Sequence, residues 1–339
     1  MRKKNSIAQN HKKKFNKNKK NLEIYKVFKN NLKLLKKNSF IVAVSGGPDS
    51  LALAALAKTY EYEEKIKAYY VLVDHGIRKN SAKESLQVKK LLKKFNISLN
   101  ILTNKEKIEK NIQSNARKVR YKLLSNFGKL KKIKYILTGH HSDDQVETFL
   151  IRLSRGSGVQ GLSSMKMISK LDKTTTLLRP LLELKKNDLN FTAKSIFNKI
   201  FKDPSNKDKK YLRTRIRSLK ITLEKNGINH EQIIKSIKNL ASTNNTLNNY
   251  VEKIYNINIK KKNKTIVVNF SNLLLETEEI QIRILGKVIK TFSKSYYPPR
   301  TVKISNLIKG LTIMSQKRFT LSKCVIERRG KYLTIKNEA

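Results

Sequence analysis

The sequence predicts an α/β fold with a parallel sheet, followed by a small α+β domain, and three observations carry that expectation. Apolar, β-rich runs alternate with helix-length stretches from about residue 38 to residue 140. Such alternation gives a parallel sheet with helices on both faces. Short polar segments follow the ends of those runs at Ser45-Gly46-Gly47, Asp74-His75-Gly76 and Gly139-His140-His141. After about residue 220 the chain turns Lys/Asn-rich and mostly helical in pattern, with strand-like runs near its end.

Taken in order, Phe40-Ile41-Val42-Ala43-Val44 is a continuous apolar run, as a strand covered on both faces requires. A Gly-rich loop follows, then an apolar helix from 49 to about 60. Ala68-Tyr69-Tyr70-Val71-Leu72-Val73 predicts a second strand, and a helix is expected over 81–95. A third strand is expected over 97–102, a helix over 111–127 closed by Gly128, and a fourth strand at Tyr135-Ile136-Leu137-Thr138. Ligands on such sheets bind beyond the carboxyl ends of the strands, where all three polar segments lie. Later, Ile266-Val267-Val268, Phe319-Thr320-Leu321-Ser322 and Tyr332-Leu333-Thr334-Ile335 read as strands, with a turn near Arg329-Gly330. No internal repeat is visible. The expected division is a basic disordered arm over 1–20, an α/β domain over 21–220, and a helical linker with a small domain over 221–339.

Charge is the outlying property: 75 Lys+Arg against 25 Asp+Glu, a formal +50. A field of that sign draws in polyanions, nucleic acid above all. Abundant Lys, Asn and Ile together also indicate compositional drift, which inflates the number without changing its sign. Cys324 is the single cysteine, which excludes an internal disulfide, a CxxC zinc site and a Cys-ligated iron–sulfur cluster. A reducing compartment fits, so a cytoplasmic location is expected, with a plastid or other organelle stroma as the alternative. Residues 1–20 lack the apolar core of a signal peptide and are too Ser-poor for a transit peptide. No uncharged apolar run approaches the ~18–20 residues that span a bilayer, so no membrane association is expected. Oligomeric state is not legible.

Chemistry is carried first by Ser45-Gly46-Gly47-Pro48-Asp49-Ser50. A Gly-rich turn between strand and helix aims backbone N–H groups at an anion, and the helix N-terminus adds about half a positive charge. Pro48 suits a first helical turn, and Ser45 and Ser50 offer hydroxyls. Asp49 is the odd member: a carboxylate beside phosphates implies a cation between them, and Mg²⁺ is expected there. An ordinary Gly turn with a helix cap is the plainer reading of these residues alone. The Walker pattern GxxxxGK followed by Ser or Thr is absent, so a P-loop kinase or GTPase is not indicated.

The second cluster runs from Gly139 to Thr148. On a helix, Val146, Phe149, Leu150 and Leu153 make the apolar stripe, which leaves Asp144 and Glu147 together on another face. Two carboxylates there suit a cation, either a metal or a substrate ammonium; a solvated acidic face is the ordinary alternative. Zinc binding by His140-His141 lacks HExxH spacing. In the third cluster Ile112, Ala116, Val119 and Leu123 form the expected core stripe, with Arg117 and Arg120 to one side, placed to grip phosphate or stabilise developing charge. In a chain this basic, an arginine is a surface residue unless something else places it.

Together, Ser45 to Ser50, Val73-Asp74-His75-Gly76-Ile77-Arg78, Ala116-Arg117-Lys118-Val119-Arg120-Tyr121 and the run from His140 to Gly158 resemble the tRNA(Ile)-lysidine synthase family, within the PP-loop ATP pyrophosphatases. Agreement is strong over about residues 38–220. It continues more weakly through Gly161-Leu162, Arg179-Pro180-Leu181, Asp203-Pro204-Ser205-Asn206-Lys207-Asp208 and Arg213 to Arg217. Ser164 and Thr214 stand where the family usually has Gly and Asn. The resemblance implies a PP-loop (adenine nucleotide alpha hydrolase-like) domain over 21–220 and a tRNA-binding C-terminal domain. It implies ATP as co-substrate with Mg²⁺, a CAU-anticodon isoleucine tRNA as acceptor, and free L-lysine as the amine that replaces the wobble cytidine's C2 oxygen. Residue by residue, Ser45, Gly46, Gly47, Pro48, Asp49 and Ser50 match ATP-binding positions. Asp49, Arg120 and His140 match positions implicated in the chemistry, and Asp144 and Glu147 match those that recognise lysine. The competing expectations are a PP-loop tRNA thiolase, which needs cysteines this chain lacks, and a basic RNA-binding module with a vestigial ATP loop.

Overall fold

The computed structural model describes residues 15, 18–36, 38–78, 80–106, 108–201, 212–262, 265–293, 298–313 and 318–338. Strands β1 (Phe40–Val44), β2 (Ala68–Asp74), β3 (Leu99–Thr103), β4 (Tyr135–Leu137), β5 (Ile168–Lys170) and β6 (Thr176–Leu178) form a six-stranded sheet in the order β3-β2-β1-β4-β6-β5. Every neighbour is parallel except the β5–β6 pair. β1 pairs Phe40 with Ala68 on one side and with Tyr135 on the other, so the strand order reverses at β1. Sheets of this kind bind ligands at such a switch point, here beyond the carboxyl ends of β1 and β4. The β5–β6 hairpin was not expected; its short, polar first strand, Ile-Ser-Lys, carries little apolar signal.

Alternation along β1 sends Phe40, Val42 and Val44 to one face and Ile41 to the other. On the first face they pack with α1 (Lys19–Asn31), α2 (Pro48–Glu64), α3 (Ser81–Lys93) and, further along the chain, the Leu189–Ala193 stretch. Leu51 to Ala57 in α2 are all fully buried, because this helix is covered all round rather than along one stripe. On the second face Ile41, Val71, Ile136 and Leu177 meet Tyr121 and Leu124 of α4 (Ile112–Leu130). The core of α4 is therefore Tyr121, Leu124, Ser125 and Gly128, not the expected Ile112/Ala116/Val119/Leu123 stripe. Only its C-terminal half lies over the sheet, and Ile112 is 38% exposed. Nor does Gly128 close the helix. It allows close packing instead, since a Cβ there would stand 2.9 Å from the Ile133 carbonyl oxygen.

α5 (Ser142–Leu153), α6 (Val159–Leu162), α7 (Lys186–Phe197) and α8 (Leu212–Lys225) follow, and then the long helix α9 (His230–Asn258). Val146, Phe149 and Leu150 of α5 pack on Ile233, Ile234 and Ile237 of α9. Leu153, expected in that stripe, is 52% exposed. Ser164 has a left-handed φ of +58°, a backbone conformation that favours glycine.

Two compact units divide the chain, Met1–Leu240 and Ala241–Ala339. The second holds a five-stranded antiparallel sheet in the order β7-β8-β11-β10-β9, built from β7 (Ile259–Lys262), β8 (Thr265–Asn269), β9 (Arg318–Leu321), β10 (Cys324–Arg329) and β11 (Tyr332–Asn337). α10 (Phe270–Leu273), α11 (Glu278–Phe292) and α12 (Thr301–Thr312) accompany it, and Val268, Ile284, Val288, Leu311, Ile326 and Leu333 share its core. β10 was not expected, because Glu327-Arg328-Arg329 masks its apolar start. Of the basic arm expected over 1–20, residues 1–14, 16 and 17 lie outside the described residues. Phe15 is buried against Tyr25 at 6.1 Å between ring centroids, and α1 begins at Lys19. The segment 203–208 also lies outside them. Among the described residues no helix is long and apolar enough to cross a membrane.

Candidate active site

The loop from Ser45 to Ser50 leaves β1 at the switch point. Gly46 has φ +87°, and a Cβ on it would press to 2.7 Å from Val88 Cγ2, so both backbone conformation and space demand glycine. Gly47 is the extended N-cap of α2, and Pro48 occupies its first turn. Ser50 Oγ accepts from the Ser45 N–H at 3.0 Å and donates to the Gly47 carbonyl at 2.9 Å. That hydroxyl therefore staples the turn. Asp49 points Oδ1 into a buried position with no hydrogen-bond partner among the described residues.

β4 delivers the second cluster beside it. A Cβ on Gly139 would lie 2.9 Å from the Asp49 carbonyl oxygen, so the backbones of the two motifs approach as closely as glycine permits. His141, buried, lies among three carboxylates: its Nε2 is 3.6 Å from Asp49 Oδ2 and 3.5 Å from Asp144 Oδ2, and its Nδ1 is 3.7 Å from Asp143 Oδ2. Burial works to lower its pKa, but Asp49, Asp144 and Asp143 outweigh burial and raise it. Asp143 is itself lowered to about 2: burial pushes it up, and Lys220 at 2.8 Å with the Lys186 N–H at 3.0 Å overcome that.

His140 behaves oppositely. Its Nδ1 meets Thr138 Oγ1 at 2.8 Å. Burial first, then the fields of Arg179, Arg117, Arg213 and Arg120, push its pKa well below the ordinary value. His140 is thus a neutral ring, and the standing positive charge beside it is arginine. Arg120 is exposed on α4, and its field also reaches His75, whose pKa falls to about 4 through burial, then Arg120, against Asp74.

Asp144 and Glu147 are both buried. They face α8, where Arg213 reaches Asp144 Oδ1 through Nη2 and Glu147 Oε2 through Nε, both at 2.5 Å. Arg217 reaches Glu147 Oε1 through Nε at 2.5 Å. The structure therefore gathers Asp49, His140, Asp144 and Glu147 around one crevice, with Arg120 acting on it through its field. His141, Asp143, Lys220 and the two arginines of α8 were not singled out as site residues. A His beside a His and an arginine pair some 66 to 70 residues from its carboxylates leave no periodic signal. Among the described residues no group of three or more His, Cys, Asp or Glu is placed to hold a metal by itself. The orphaned Asp49 Oδ1 does fit a hard cation that takes its other ligands from phosphate and water.

Residues 15–223 match the PP-loop domain family. The chain is 35% identical over 311 residues to a tRNA(Ile)-lysidine synthase of Wolbachia pipientis wMel, covering 89% of this chain and 71% of that protein. It is 32% identical over 330 residues to the one of Orientia tsutsugamushi, covering 94% and 72%. Among solved structures, the U34-tRNA thiolase NcsA of Methanococcus maripaludis matches with a TM-score of 0.54 at 20% identity, over 65% of this chain and 78% of that one, which shows a shared fold. With a Gly-rich loop at the switch point and relatives of this identity along most of its length, the chain belongs to the tRNA(Ile)-lysidine synthase family of PP-loop proteins.

Proposed function

We propose that this chain ligates free L-lysine to C2 of the wobble cytidine in a CAU-anticodon isoleucine tRNA, consuming ATP. In the first step the cytidine's O2 attacks the α-phosphorus of ATP and pyrophosphate leaves. In the second, the lysine ε-amine attacks C2, a proton is lost and AMP departs with the oxygen. The observation that supports this most is a clustering of side chains. A phosphate-cradling turn, an orphaned carboxylate and a buried carboxylate pair stand together at the β1–β4 switch point.

Within it, the loop N–H groups from Gly46 onward hold the triphosphate, and the N-terminus of α2 adds its dipole. Mg²⁺ at Asp49 would neutralise charge on the phosphates. Arg120 supplies the cation for the activated oxygen and the departing AMP, and neutral His140 donates a hydrogen bond to the same group. Asp144 and Glu147 receive lysine's ammonium character. The basic field and the second unit bind the tRNA body, mostly through phosphate contacts that position without reading sequence.

The test is mass spectrometry of a CAU-anticodon isoleucine tRNA incubated with the protein, ATP, Mg²⁺ and lysine. The expected product is a cytidine heavier by lysine minus water. A sulfur-sized gain would point instead to thiolase chemistry, against which stands the single, buried Cys324. An unchanged cytidine with no pyrophosphate released would leave only RNA binding.

A further inference from the structure

We propose that Thr138 is a positioning residue for the reaction: its hydroxyl donates to Nδ1 of His140, so the ring carries its one proton on Nε2 and presents that N–H to the nucleotide. This rests on the lysine-ligase reading above, in which His140 acts as a neutral donor. A neutral imidazole has one N–H and one bare nitrogen, and the hydrogen bond made by one nitrogen decides the state of the other. For His140 the one hydrogen bond among the described residues joins Nδ1 to Thr138 Oγ1, at 2.8 Å.

The direction of that bond follows from the hydroxyl's other option. Thr138 is buried, so its proton needs an acceptor close by. The choice lies between Nδ1 at 2.8 Å and the Leu178 carbonyl at 3.4 Å, which is long for an O–H···O bond. That carbonyl already accepts from the Thr138 N–H at 3.0 Å. The bare Nδ1 is therefore the better acceptor. With the opposite tautomer the hydroxyl would accept from Nδ1–H, and its own proton would be left with the long contact.

The backbone makes this choice usable. The Thr138 N–H ties the exit of β4 to the end of β6, and Gly139 lies against the first turn of α2 with no room for a methyl group. The ring two residues on from Thr138 is thus carried by a segment pinned on both sides. Burial and the fields of Arg179, Arg117, Arg213 and Arg120 oppose a second proton, so only one nitrogen can donate. The same arginines draw in an anion. A bare Nε2 facing it would repel the phosphoryl oxygen that an N–H would hold.

The experiment reads the tautomer by proton–nitrogen correlation on the full chain labelled with ¹⁵N-histidine. The chain has five histidines, so the His140 signals are assigned by their loss in His140→Asn. Nδ1 is expected to resonate as a bare, pyridine-type nitrogen and Nε2 as a protonated one; the reverse pattern would overturn the proposal. In tRNA-dependent pyrophosphate release, Thr138→Val should lower kcat at least about tenfold and move the KM for ATP less than about twofold. Thr138→Ser, which keeps the hydroxyl, should stay within about threefold of the unaltered protein. Full kcat in a folded Thr138→Val sinks the proposal. Equal damage in Thr138→Ser does too, because packing of the threonine methyl would then be the cause. If Thr138→Val does not fold, the spectrum of the unaltered protein and the serine variant decide. Absence of pyrophosphate release from the unaltered protein is a different failure, that of the lysine-ligase reading, and the spectrum still judges the tautomer because it needs no substrate.

Discussion

Asp49 Oδ1 and both ring nitrogens of His75 are buried polar atoms with no protein partner among the described residues. Such groups weaken a fold unless a ligand meets them. Asp49→Ala removes the orphaned Oδ1 together with the Oδ2 contact to His141, two effects that oppose each other in stability, so it is expected to abolish tRNA-dependent pyrophosphate release, by at least about 100-fold, while moving Tm by less than about 3 °C. A large fall in Tm would mark Asp49 as a structural cap instead. His75 allows a pH test. Its folded pKa of about 4 lies below the ordinary 6.5, so between those values the unfolded chain binds a proton that the native site refuses. This contribution to stability is complete above pH 6.5 and is lost as pH falls toward 4. Melting curves across that window should decline less steeply for His75→Asn, and an unchanged slope would show that the ring is not kept neutral.

Between elements, Gly139 is the close approach that binds β4's exit to the first turn of α2. A methyl group there meets the Asp49 carbonyl oxygen at 2.9 Å and its carbon at 3.1 Å, and backbone cannot swing aside as a side chain would. Gly139→Ala is expected to cost roughly 1–3 kcal/mol and to weaken nucleotide binding, measured by thermal melts with and without ATP. Gly158→Ala is the control, since its φ is −75° and nothing lies within 4 Å of the added methyl; Tm should hold or rise slightly. The same scale explains α5. Asp144 and Glu147 are buried along with Val146, because α9 covers the apolar side and the arginines of α8 cover the carboxylates.

For the whole molecule, the two units imply separable tasks. Ile233 and Ile237 pack on Val146, so a chain ended after Leu240 keeps that cluster, whereas a cut near residue 225 would strip it from α5. The chain ended after Leu240 is expected to retain ATP binding and to lose tRNA affinity, seen by filter binding as a weaker constant and a shallower dependence on salt. In duplex regions, every phosphate that the shortened chain no longer neutralises should reduce the log–log slope by about 0.9. Unaltered tRNA affinity would place the RNA surface wholly in the first unit.

Reading along the chain was enough for the parallel sheet, the Ser45–Ser50 turn and the family. A buried strand declares itself by a continuous apolar run, and each motif is contiguous, so neither needs knowledge of distant partners. It was not enough for the core face of α4, for β10, or for the burial of Asp144 and Glu147 beneath Arg213 and Arg217. Those depend on which surfaces meet across tens of residues, and local periodicity holds no record of that. His141 shows the limit most clearly. Beside His140 in sequence, it differs from it only in what surrounds the ring: three carboxylates raise the pKa of one, while burial and four arginines lower that of the other. The residue types in the crevice were set by the sequence; their charge states were decided by the tertiary structure, because electrostatic neighbours exist only once the chain has folded.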